Sequence, residues 1–185
     1  MTDVTGLGSF LRPAGERVQA PWLEGDTPDR VRTLVERALK DVGVLETAPN
    51  RSPRIDSYLH AAGVPEEMIV AGKGWWCAAA VGAWWRECGY AVPAGYASCD
   101  KWLVWAKATK RWRATPEIGC AVLYGKGEDA HHIGLVIRVQ PVILSVEGNT
   151  TVEGSAFEPN GTAVALKKVA APDPILGYVA LQGAA

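Results

Sequence analysis

A cysteine, a histidine and a carboxylate–amide pair, met in that order along 185 residues, are the side chains on which this sequence could build acyl-transfer chemistry. Cys77 stands in Gly74-Trp75-Trp76-Cys77-Ala78-Ala79-Ala80-Val81, where a glycine-punctuated loop turns into an apolar helix. A thiol at a helix amino terminus is more acidic than a free one, because unpaired N–H groups and the helix dipole stabilise the thiolate. The ordinary reading of such a cysteine is a small buried apolar residue. Its position shifts the balance: Gly72-Lys73-Gly74 lets the chain turn just before the helix, Lys73 adds positive potential, and Trp75 and Trp76 can wall a cleft. The Cys77 N–H is well placed as an oxyanion donor.

His132 follows in His132-Ile133-Gly134-Leu135-Val136. Strand alternation puts His132, Gly134 and Val136 on one face, and Gly134 leaves room above the imidazole for a partner from another element. His131 points the opposite way, so His132 is the assigned base and His131 the fallback. Glu147 and Asn149 flank Gly148 one hairpin later and share a face if the strand stays extended. Either could accept the Nδ1 proton of His132 and hold Nε2 toward the thiol. Taken alone, Gly-Asn-Thr is turn chemistry. The ordered set of nucleophile, base and orienter is a far stronger signal than any member, and its chemistry needs neither metal nor organic cofactor.

The elements that must position these groups follow from periodicity. Residues 1–25 read as an irregular arm, pinned by Pro13, Pro21 and Trp22, ahead of a single catalytic domain over 26–185. A helix opens at Thr27-Pro28, repeats Val31, Leu34, Val35, Ala38, Leu39 and Val42 on one face, and ends at Gly43. A second opens at Ser52-Pro53 and stops at Gly63. The third spans 76–88 with Cys77, Ala80, Val81, Trp84 and Cys88 inward, and a fourth spans 98–106. Beyond Thr115-Pro116 the period changes, and residues 120–124, 132–139, 141–146, 163–166 and 177–181 read as strands with Gly- or Pro-containing turns. Helices first and strands after predict an α+β fold, the cysteine helix packed on a C-terminal antiparallel sheet.

Composition bounds the partners. The 48% apolar and 21% charged content is that of a folded domain, and a net charge of −1 calls for neither nucleic acid nor an anionic membrane. No apolar run spans a bilayer and no membrane insertion is expected. The first 25 residues lack the pattern of a signal peptide, so the chain is expected to be made in a cytoplasm. With Cys77 set aside, Cys88, Cys99 and Cys120 are an odd number, which suits a reducing compartment better than a disulfide framework. Seven of the eight tryptophans crowd around the third and fourth helices; most belong to the core, with Trp75 or Trp76 reserved for stacking on sugar rings.

Trp76-Cys77-Ala78-Ala79, His132-Ile133-Gly134-Leu135-Val136 and Val146-Glu147-Gly148-Asn149-Thr150 resemble the three signature blocks of CHAP domains, the cysteine, histidine-dependent amidohydrolases/peptidases. These are relatives of the NlpC-type wall hydrolases on a papain-like fold. Residues 50–59 look like the segment preceding the cysteine block in many members, and the resemblance covers roughly residues 28–181. It departs from the family at Glu117-Ile118-Gly119-Cys120, where Pro-Gly-Asp is common before the histidine strand. The resemblance implies Cys77 as nucleophile, His132 as base, Glu147 as its orienter and Asn149 completing the polar set. It implies a monomeric amidase or endopeptidase acting on bacterial peptidoglycan. A phage endolysin, a tail lysin or a secreted effector would reach the wall after release or delivery. Two rivals keep the same fold: an amidase acting on a non-wall amide, and a domain that only binds wall or a partner.

Overall fold

The computed structural model describes residues 20, 23, 27–151, 161–169 and 174–183. Among these described residues, five helices precede or border a six-stranded antiparallel sheet, giving the α+β architecture: α1 Asp29–Leu39, α2 Pro53–Ala61, α3 Glu66–Val70, α4 Cys77–Glu87, α5 Cys99–Ala108, then β1 Trp112–Arg113, β2 Ala121–Lys126, β3 Asp129–Arg138, β4 Leu144–Thr150, β5 Ala163–Lys168 and β6 Ile175–Val179. The strands run in the order β1-β6-β2-β3-β4-β5, every neighbouring pair antiparallel. The expected helix of 27–43 is shorter: its cap is Pro28, with no side-chain cap bond, and it gives way at Lys40. Ser52 and Ser98 act as N-caps, their hydroxyls accepting from the Ile55 and Lys101 N–H groups. The short α3 and the two-residue β1 escape periodicity because neither is long enough to show one. Of the arm, Ala20 and Leu23 are described, and Leu23 is buried in the core; Pro13, Pro21 and Trp22 lie outside the described residues.

Helix α4 was expected to bury one face and instead buries every residue from Cys77 to Trp85. One side meets β3 and β4, the other meets α1 and α2. The run of small residues makes this sandwiching possible, since Ala side chains let flanking layers approach closely. A buried carboxylate locks the outer layer to it. Asp41 Oδ2 accepts from Tyr58 Oη at 2.6 Å and Trp84 Nε1 at 2.8 Å, and pairs with Arg37 Nη1 at 2.9 Å and Arg54 Nη2 at 3.0 Å. The end of α1, α2 and α4 are thereby joined at one point, which fixes where the amino terminus of α4 must fall. The main core lies on the helix side of the sheet; a smaller cluster of Cys120, Val122, Tyr124, Val136, Val169 and Tyr178 forms a second.

Candidate active site

The loop into α4 is held by backbone geometry. Gly72 adopts φ +64, and a Cβ there would stand 2.6 Å from the Pro49 carbonyl oxygen, while Asn50 Nδ2 donates to the Gly72 carbonyl at 2.9 Å. The chain then enters α4 with Trp76 as N-cap, whose side chain makes no cap bond, and the first intrahelical bond runs from Ala80 N to Trp76 O at 2.9 Å. Cys77 thus starts the helix, and the Ala78 N–H stabilises the thiolate.

His132 comes from β3 and is fully buried. Its Nε2 lies 2.9 Å from Glu147 Oε2 on β4, so Nε2–H donates to the carboxylate. The other carboxylate oxygen accepts from Tyr124 Oη at 2.8 Å and Ser145 Oγ at 2.6 Å. Gly134 pairs directly with Glu147 across the β3–β4 ladder, and a Cβ on it would fall 2.6 Å from Glu147 Cγ. The glycine therefore makes the space the carboxylate occupies. This corrects the expected tautomer. Glu147 reaches over Gly134 to the far edge of the ring and takes Nε2, leaving Nδ1 for the thiol. Nδ1 is buried and makes no close hydrogen bond at rest among the described residues.

The electrostatics couple the two groups. A hydrogen bond from Cys99, opposed by burial and assisted by His132 and the Ala78 N–H, holds the Cys77 thiol well below its ordinary 9.0. Burial alone would lower the His132 pKa, but the sulfur and Glu147 together overcome it and raise the ring to about 10. The two shifts run in opposite directions and both favour the charged forms, thiolate on Cys77 and imidazolium on His132.

A cleft of about 600 Å³ leads to the sulfur, bordered by Met68, Trp75, Ser98, Cys99, Asp129 and His131. Cys77 is 5% exposed at its floor, whereas Trp75 is 70% exposed at its edge. Trp76 is fully buried and donates from Nε1 to Glu46 Oε1 at 3.0 Å, with its ring against Gly148, so it is a core residue and takes no part in the cleft. Lys73 is exposed but does not border the cleft.

Two departures from regular strand geometry explain the rest. Tyr124 pairs with His132 and Gly125 with Ala130, which leaves His131 as the extra residue of a bulge. It sits at the cleft rim with Nδ1 3.5 Å from Asp129 Oδ1, while the bulge aims His132 inward. Asn149 has φ +54, and the β4–β5 register shifts between Glu147 and Thr150. The strand does not stay extended, so the alternation that put Asn149 on the Glu147 face does not hold, although the residue is buried.

Sequence reasoning missed Tyr124, Ser145 and Cys99. Ser145 was within reach, standing two residues from Glu147 on the same strand. Cys99 shares the loop-to-helix position that singled out Cys77, directly after the N-cap Ser98. Tyr124 is a cross-strand neighbour and depends on a register that a lone sequence does not display. No family model matches this chain, and no curated protein or solved structure matches it. Among the described residues, no helix is long and apolar enough to cross a membrane.

Proposed function

We propose that this chain is a papain-like cysteine amidase or endopeptidase that cleaves an amide bond of bacterial peptidoglycan. The observation that carries the hydrolase reading is the Cys77–His132–Glu147 line, with the sulfur at the floor of an open cleft and the carboxylate fixed by two hydroxyls. The wall as substrate rests on the likeness of the three sequence blocks to CHAP domains. Exposed Trp75 is in keeping with it, offering an indole face to a sugar ring.

His132 Nδ1 holds the proton taken from the Cys77 thiol, and Glu147 steadies the resulting imidazolium through Nε2. The thiolate attacks the scissile carbonyl carbon, and the amino-terminal N–H groups of α4 receive the oxyanion. Imidazolium gives its Nδ1 proton to the departing amine, leaving a thioester on Cys77. His132 then deprotonates a water, whose attack releases the carboxylic acid and restores the thiolate.

Purified peptidoglycan incubated with the protein is expected to lose turbidity and release fragments whose masses locate the cut. Cys77→Ala is expected to lower the rate on the order of 10⁴-fold or more. Lysis by Cys77→Ala at the wild-type rate would overturn the catalytic reading. A folded wild type that sediments with wall and releases nothing would leave binding as its role.

A further inference from the structure

Cys99 is the nucleophilic group the mechanism leaves unused. Its sulfur lies 3.8 Å from Cys77 Sγ, in van der Waals contact, and both border the same cleft. The two residues are the first of α4 and the first of α5, so two helix amino termini converge on one pair of sulfurs. Neither is bonded to another cysteine. A disulfide of about 2.05 Å requires roughly 1.8 Å of approach, within reach of side-chain rotation plus a small shift of either helix end. The remaining cysteines have no such arrangement. Cys120 lies in the second core cluster, where burial pushes its thiol up to about 12 and its sulfur accepts from the Glu117 N–H at 3.4 Å. Cys88 sits at the far end of α4, eleven residues from Cys77.

From this pairing we infer that Cys77 and Cys99 form a peroxide-reactive dithiol, in which Cys99 captures oxidised Cys77 as a reversible disulfide. The inference concerns the same sulfur that the hydrolase reading uses, but rests on the sulfur–sulfur geometry rather than on amide cleavage. The Cys77 thiolate attacks one oxygen of hydrogen peroxide; the S–O bond forms as the O–O bond breaks. The departing hydroxide takes the imidazolium proton of His132 and leaves as water. Cys99 sulfur then attacks the sulfenic sulfur; the S–S bond forms and the S–O bond breaks. The second hydroxide takes the Cys99 proton and leaves as the second water. The sulfur pair loses two electrons and the peroxide gains them. The dithiol state, with Cys99 S–H donating to the Cys77 sulfur, is the form in which that sulfur can attack a substrate. The disulfide occupies the same sulfur and closes the cleft floor. Capture by Cys99 prevents further oxidation of Cys77 to sulfinic and sulfonic acids, which thiol reductants do not reverse.

The test treats the full chain with hydrogen peroxide, blocks remaining thiols with iodoacetamide, and maps peptides by mass spectrometry. The expected product is a Cys77–Cys99 linked peptide with the mass of two hydrogens lost, reverting to two alkylatable thiols in dithiothreitol. In Cys99→Ser the same treatment is expected to drive Cys77 to sulfinic acid that dithiothreitol does not recover, while Cys88→Ser still forms the linked peptide. The inference falls if wild-type Cys77 becomes sulfinic acid with Cys99 still free, or if Cys77 links preferentially to Cys88 or Cys120. The readout needs no hydrolytic activity. A linked peptide from a protein that cleaves no amide would therefore refute only the hydrolase reading. Cleavage without linkage would refute only the dithiol.

Discussion

At the residue scale, the decisive feature is the coupling of two buried titratable groups, Cys77 and His132. The Cys77 thiol is held down by Cys99, His132 and the start of α4, and the His132 ring is raised to about 10. Two macroscopic ionisations should then bound the reactivity of the sulfur, and they belong to the pair rather than to either residue. On the acid side thiolate is lost only well below the ordinary 9.0 of a cysteine thiol. Alkylation of wild-type Cys77 by iodoacetamide, followed by peptide mapping, is therefore expected to hold its plateau well below pH 9.0. In His132→Gln the acid limb moves up toward that of an ordinary thiol. An unmoved limb in this variant would mean that Cys99 and the helix terminus hold the thiolate unaided.

At the element scale, the site depends on irregularities within otherwise regular strands. The His131 bulge turns His132 inward, and the ladder contact of Gly134 with Glu147 leaves no room for a methyl group. Gly134→Ala is expected to push Glu147 away from the ring, since its Cβ would sit 2.6 Å from Cγ and 2.9 Å from Oε1. Displacement of that order in a group that aims a catalytic base costs about 100-fold in rate. The overpacking itself costs about 1–3 kcal/mol. Amide hydrolysis measured beside thermal unfolding separates the two, and unchanged hydrolysis would show that Glu147 does not position His132. These same elements show how far the sequence could be read. The helix starts at Ser52 and Ser98, the approximate places of five strands and the Glu147/Asn149 pair as orienters of His132 were legible, because each leaves a local mark in residue type or period. The bulge, the left-handed Asn149 and the cross-strand Tyr124 were not, because register is set by pairing at a distance. For the same reason, periodicity misjudged α4 as one-sided: its second contact layer is made by α1 and α2, brought in by Asp41.

At the scale of the whole molecule, the buried pair ties stability to pH in a way that ordinary surface groups do not. In the unfolded chain the ring titrates at 6.5 and the thiol at 9.0. Folding raises the first, so its contribution is complete below 6.5 and is lost as pH climbs toward about 10. Folding lowers the second, so its contribution is complete above 9.0 and is lost as pH falls through the lowered value. Below 9.0, and above both 6.5 and the lowered thiol value, the unfolded chain keeps one proton on sulfur and the folded chain keeps one on the ring. Proton uptake by the pair is then equal in both states, and its contribution is level across that window. Above 9.0 the unfolded chain has released its proton while the folded chain still holds one, so stability declines toward pH 10. Urea midpoints of the wild type, followed across this range with the cysteines kept reduced, should show that decline. In Cys77→Ala the imidazole loses the anion at Nδ1, and the decline attributable to the pair should vanish. An identical alkaline decline in both proteins would place the His132 proton under the control of Glu147 alone, and the thiolate would lose its place as the group that holds the ring charged.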